Sequence, residues 1–178
     1  TAQYARTNYA ANCGAGNAFS RTDFGLIAER GPFHVGRQYG AKIADIEDGT
    51  SNTILIGEII AGANSGDVRG AWAYPTGAVF CGGSPSYDAA RILLLPNGNA
   101  LDDLQRDRPA NCSADNNDRQ LRCIGGGSRA FQTARSRHSG GVSVGMADGT
   151  VRFLQDSVTL PLWRTLLAQA DGVPVSDF

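Results

Sequence analysis

Apolar residues along this 178-residue chain fall in short runs broken by glycine and polar clusters, and only one stretch near the C-terminus repeats at helical spacing. With 23 glycines separating those runs, the pattern favours short strands over a helix bundle. "GLIAERGPFHVG", from Gly25, reads as a strand, a turn at Gly31-Pro32 and an extended segment. In "KIADIEDGTSNTILIGEII" a polar turn over Asp48-Gly49-Thr50-Ser51-Asn52 precedes an aliphatic run ending near Glu58, which predicts a strand buried on both faces. "GAWAYPTGAVF" alternates Trp72 and Tyr74 as a strand would, then breaks at Pro75. Near the end, "TLPLWRTLLAQADG" predicts a short amphipathic helix, with Thr159 as N-cap, Pro161 in the first turn, Trp163, Leu166, Leu167 and Ala170 on one face, and Gly172 as its stop.

A second element is set by "SRHSGGVSVGMADGTVRFL", Ser136 to Leu154. Asp148-Gly149 lies between two alternating runs, the strongest short-range signal for a two-residue hairpin turn. In that register Ala147 opposes Thr150, Met146 opposes Val151 and Val144 opposes Phe153. Met146, Val151, Val144 and Phe153 then share one face, and Leu154 goes to the other.

The same stretch carries the candidate chemistry. His138 is one of only two histidines, with Ser139 beside it and Asp148 ten residues on. Ten residues of straight strand span roughly 30 Å, whereas a base and its orienting carboxylate need hydrogen-bond contact, so the hairpin excludes a His138–Asp148 dyad. Ser139 and His138, adjacent on an extended chain, point to opposite faces. Asp148 is read as a turn former, and His138 as a structural hydrogen-bonding group at the strand entrance.

Composition narrows the alternatives. At 42% apolar and 19% charged, the chain suits one globular domain over residues 1–178. A net charge of −1 gives no basic surface for nucleic acid. No apolar run approaches the roughly 20 residues of a membrane span; "TILIGEIIAG" is interrupted by Glu58. The chain opens at Thr1 without an initiator methionine, so a preceding segment is expected.

Residues 96–128 are polar, rich in turn formers and without periodicity, and are expected to form a long surface excursion that presents partner contacts. Their acidic part, Asp115 to Asp118, has oxygen ligands for calcium without the ordered spacing of an EF-hand, so no cofactor is expected, with calcium the one candidate. Cys112 and Cys123 bracket part of this segment and are candidates for a disulfide in an oxidising compartment. Cys13 and Cys81 could pair with each other or with cysteines beyond this chain.

These residues carry a family resemblance. His138, nine intervening residues and Asp148-Gly149 resemble the prepilin-processing-associated C-terminal motif of pilin-like proteins abundant in planctomycetes and related bacteria, the DUF1559 family. "IEDGTSNTILIGE", with Asp48, Gly49 and Glu58, resembles that family's central motif; "RTNYAANCG" and "DSVTLPLWRTLLAQADGVPV" resemble its beginning and tail. The resemblance implies a type IV pilin-like or pseudopilin-like α+β protein: an antiparallel β-sheet-rich head with a short C-terminal helix. The anchoring N-terminal helix of such proteins is not in this sequence, and any membrane contact is expected only through it. The expected role is non-enzymatic. It is that of a structural subunit of an exported, cell-surface or extracellular assembly, such as a filament, packing with copies of itself or with other envelope subunits. The alternatives are a glycan- or surface-ligand-binding module using Trp72, Tyr74 and Tyr87, and a hydrolase built on His138 or His34.

Overall fold

Ile54, Phe80, Val142, Val144 and Met146 leave their strands on one side and close over Trp163, Leu166 and Leu167 of the C-terminal helix. In the computed structural model, which describes residues 4–84, 92–98, 105–109, 112, 121–125, 131–175 and 178, this cluster is the main core. The elements in chain order are β1 (Tyr9–Asn12), α1 (Arg21–Gly25), β2 (Phe33–His34), β3 (Tyr39–Gly40), β4 (Ile54–Glu58), β5 (Val79–Phe80), β6 (Gly83–Ser84), β7 (Ile92–Leu93), β8 (Gly141–Met146), β9 (Val151–Gln155) and α2 (Leu160–Leu167). The class is α+β: a five-stranded sheet in the order β5-β1-β4-β8-β9, with β2-β3 and β6-β7 as small separate ladders. All neighbours in the main sheet are antiparallel except β1 and β5.

The Asp148-Gly149 hairpin forms, but with a loop of three residues and not two. Met146 N–H donates to the Thr150 carbonyl at 2.8 Å, and Gly149, at φ +86°, takes the left-handed position that a three-residue loop requires. Pairing therefore slips by one residue from the expected register. Val142 opposes Leu154, Val144 opposes Arg152, Ser143 opposes Phe153 and Gly145 opposes Val151. With a side-chain period of two, such a slip turns every β9 side chain over: Leu154 enters the core, while Val151 and Phe153 face out. The longer loop is held from outside the hairpin, because Ala147 and Asp148 N–H donate to the Thr53 and Thr50 carbonyls.

Other expectations fail for local reasons. The Gly25 segment is the end of α1 followed by a 3-10 turn over Ile27–Glu29, with only Phe33–His34 extended. α1 starts earlier, at Ser20, whose hydroxyl accepts from Asp23 N–H. Trp72 and Tyr74 lie in turns, where Ala71 and Tyr74 N–H donate to the Val68 and Ala71 carbonyls. β4 is buried on one face only, since Ile56 is exposed; on the inner face Gly57 leaves room for the Phe80 ring, which would stand 2.8 Å from a Cβ there. α2 ends at Leu167, short of Gly172, because Gln169 is captured elsewhere. Its N–H donates to the Arg30 carbonyl, and its own carbonyl accepts from Glu47 and Asp48 N–H.

A smaller core gathers Cys13, Ala18, Val79, Cys81, Leu94 and Phe131 beside the main one. Two disulfides are present, Cys13–Cys81 within this core and Cys112–Cys123. Described parts of the 96–128 segment dock inward instead of running over the surface: Asp107, Leu121 and Cys123 are buried. Asp115 to Asp118 and Tyr87 lie outside the described residues.

Candidate functional site

Glu58 ends β4 on the outer face of the sheet, and the chain entering β8 carries His138 up to it. His138 Nε2 stands 3.1 Å from Glu58 Oε1, while Glu58 Oε2 accepts from Ser143 N–H at 3.0 Å. One carboxylate thus ties the β8 backbone and an exposed imidazole to β4. The recess around the pair, of about 390 Å³, is lined by Asn8, Glu58, Ile59, Ile60, Ser136, Arg137 and His138. Its hydroxyl is committed elsewhere: Ser136 Oγ donates to the Gly141 carbonyl at 2.6 Å and accepts from His138 N–H. Ser136, the hydroxyl that lines the recess, is therefore not aimed at the imidazole.

Asp148 does not meet His138. Its Oδ1 accepts from Thr150 N–H at 2.9 Å and Thr150 Oγ1 at 2.7 Å, and these bonds, the hydroxyl first, hold its carboxyl below the usual range. The two Asp-Gly motifs touch each other instead, through Asp148 N–H and the Thr50 carbonyl. Asp48 works on its other side. Its carboxylate oxygens accept from Asp171 N–H at 2.7 Å and Gly172 N–H at 2.8 Å, clamping the tail that follows α2. Gly49, at φ +96°, turns the loop so that its own carbonyl accepts from Asn52 N–H and Thr53 Oγ1. Asp48, Gly49, Asp148 and Gly149 thus form one junction between the central loop, the hairpin tip and the C-terminal tail.

A group that the sequence reading missed lies deeper. Arg69 donates to both oxygens of Asp67, to Asp107 Oδ2 at 3.0 Å and to the Leu121 carbonyl. Arg135 donates to the same Asp107 oxygen and to the Gly98 and Gln105 carbonyls, and Asp107 Oδ1 accepts from Thr133 N–H. All four charged groups are buried and sum to zero. In sequence they are scattered among polar, turn-rich segments, and nothing in their spacing points to a network.

On the outer face the pairing aligns one apolar row across all five strands: Val79, Ala11, Ile56, Gly145 and Val151. At the β5–β1 end the β2-β3 ladder and Trp72 rise over this row and make a cleft of about 580 Å³, lined chiefly by Tyr9, Ala11, Phe33, Tyr39, Ile56 and Trp72, with no charged side chain in its wall among the described residues. His34 also lines it, held among its neighbours. Its ring packs 4.8 Å from that of Phe24, Nε2 faces the Asn17 carbonyl at 3.2 Å, and Nδ1 is buried without a partner. Tyr74 does not line the cleft. Among the described residues, no three His, Cys, Asp or Glu side chains converge as a metal centre.

Burial pushes the His34 pKa below its ordinary value, against the pull of the Asn17 and Ser20 carbonyls. A depressed folded-state pKa contributes stability that is present above the unfolded value of about 6.5 and is lost as pH falls through the lower folded value. Urea midpoints measured from pH 7.5 to 5 should therefore fall, and His34→Gln should flatten that fall. An unchanged slope in the variant would refute the assignment.

A family model described as "Protein of unknown function (DUF1559)" matches residues 1–160. No curated protein and no solved structure matches the chain.

Proposed function

The chain belongs to the DUF1559 family, and from that premise we propose that it is a non-enzymatic structural subunit, the pilin-like head of an exported, cell-surface assembly. The observation that carries this reading is the uncovered apolar row on the outer face of the sheet. An antiparallel sheet can leave one face to water when that face is polar, but this one packs α2 on the inner face and leaves the apolar Ile56, Val151 and Phe153 in water on the other. The motif residues support the same reading. Glu58 and Asp48 spend both carboxylate oxygens on backbone and neighbouring side chains, His138 Nε2 is held by Glu58 and Asp148 Oδ1 by Thr150, the bracing expected of a rigid head. Two disulfides are consistent with an oxidising, exported environment, and among the described residues no helix is long and apolar enough to cross a membrane.

Among the described residues, exposed Trp72 at the cleft mouth favours a glycan-binding module. The cleft wall weighs against it, since sugar hydroxyls need several convergent donors and acceptors and this wall is mainly apolar and aromatic. Cross-linking on intact cells followed by sizing tests the structural reading. The chain is expected in an envelope-associated assembly much larger than 18.7 kDa; recovery solely as a free monomer would overturn it, and specific retention on a glycan array would favour the binding module.

A further inference from the structure

The outer face carries two features of opposite shape in register with one another. Along the shared row, side chains are covered at β5 and β1, where the cleft lies, and stand free at β9. Exposure rises to 42% at Ile56 and 77% at Val151, with Phe153 beside it at 52% and its ring lying over Gly141. Three strand spacings of about 4.8 Å separate β9 from β1, so ridge and cleft sit roughly 14 Å apart on one surface. Between them the surface is low, because Gly145 has no side chain and Ile56 lies close against it: a Cβ at Gly145 would come 2.8 Å from Ile56 Cγ1.

We propose that this face closes on a second copy of the chain through a two-fold contact, the β9 ridge of each copy, Val151 and Phe153, seating in the cleft of the other. The proposal rests on the assembly reading above and names the surface and the partner. A two-fold axis through the low ground at Ile56 and Gly145 exchanges ridge and cleft, so a single face is complementary to itself, as such an interface requires. The area is sufficient. Tyr9, Ile56, Trp72, Val151 and Phe153 leave on the order of 500 Å² of largely apolar surface in water, at the upper end of what monomers expose. A standard interface buries about 800 Å² per partner around such an apolar centre. Charge does not oppose the contact: among the described residues the cleft wall has no charged side chain, the net charge is only −1, and the Glu58 carboxylate at the edge of the row is turned to Ser143 N–H and His138 Nε2.

The test is sedimentation equilibrium of the oxidised chain, of Phe153→Asp, of Trp72→Ser and of the two variants mixed one to one. The parent should dimerise, and each variant alone, losing both ridge-in-cleft contacts, should dimerise at least tenfold more weakly. The mixture should associate more tightly than either variant, because the ridge of the Trp72→Ser chain still fits the intact cleft of the Phe153→Asp chain. Val151→Asp stands in should Phe153→Asp unfold, as judged by its urea midpoint. A parent that stays monomeric at about 1 mM, or a mixture no tighter than its components, overturns the proposal. Association that persists in both variants overturns this face alone and leaves the assembly reading to the cross-linking experiment.

Discussion

Asp107→Ala is expected to destabilise the fold by about 3–5 kcal/mol, the cost of leaving buried charges unpaired. Asp107 is the common acceptor for Arg69 and Arg135, and its other oxygen holds Thr133 N–H. Truncation leaves two guanidinium groups in the interior against the single charge of Asp67. Relaxation is restricted, because each guanidinium is also bound to carbonyls on separate segments: Leu121 for Arg69, Gly98 and Gln105 for Arg135. Urea unfolding should show the loss as a lower midpoint. Limited proteolysis should cut faster within 96–128, because the anchored parts of that segment are released together. Arg69→Ala should cost a similar amount, and the double variant much less than the sum, since both remove the same contact. A loss below about 1 kcal/mol for Asp107→Ala would mean that the network is solvated and not structural.

That network shows where sequence reading stops. Strand and helix identities are legible where a local pattern decides them: the β8-β9 ribbon from its Asp-Gly pair, α2 from the spacing of Trp163, Leu166 and Leu167. Register and helix length are not local. An Asp-Gly pair serves a two- or a three-residue loop, and the choice falls to the Thr50 and Thr53 carbonyls, which come from a loop far away in sequence. Gln169 continues a good helical pattern yet is pulled out of it by Arg30, Glu47 and Asp48. Asp67, Arg69, Asp107 and Arg135 sit among polar neighbours and read as surface charge, although each is buried. The candidate site divides in the same way. The polar turn character of Asp48 and Asp148 is visible in the sequence, whereas the docking of their loops on one another, and the meeting of Glu58 with His138, arises only from the order in which β4 and β8 pair.

The docked loops give the central and C-terminal motifs a common physical purpose. Each bond at the junction is modest, a net 0.5–1.5 kcal/mol for a typical hydrogen bond. Together they fix the hairpin tip, the central loop and the tail after α2 relative to one another, and so fix the outer row that the hairpin presents. Conformational freedom at that junction would blur the β9 ridge before it weakened the core.

Opening Cys13–Cys81 is expected to cost about 4 kcal/mol, near the upper end for one disulfide, because the cross-link spans 68 residues of chain and removes correspondingly more freedom from the unfolded state. Cys112–Cys123, with a separation of 11, should contribute nearer 3 kcal/mol. Cys13 and Cys81 are both buried, and their bond joins the end of β1 to the end of β5, the floor of the cleft. Paired Cys13→Ala and Cys81→Ala substitutions, compared with the parent with and without dithiothreitol, separate the cross-link from the packing of its sulfurs. Reduction alone should lower the urea midpoint of the parent strongly and that of the double variant only by the smaller share of Cys112–Cys123. Marginal domains hold only about 5–15 kcal/mol in total, so reduction of both bonds would remove much of the margin, and a chain cross-linked this way holds its shape best where thiols are oxidised. A parent whose midpoint is unmoved by reductant under unfolding conditions would mean that the fold does not depend on an oxidising compartment.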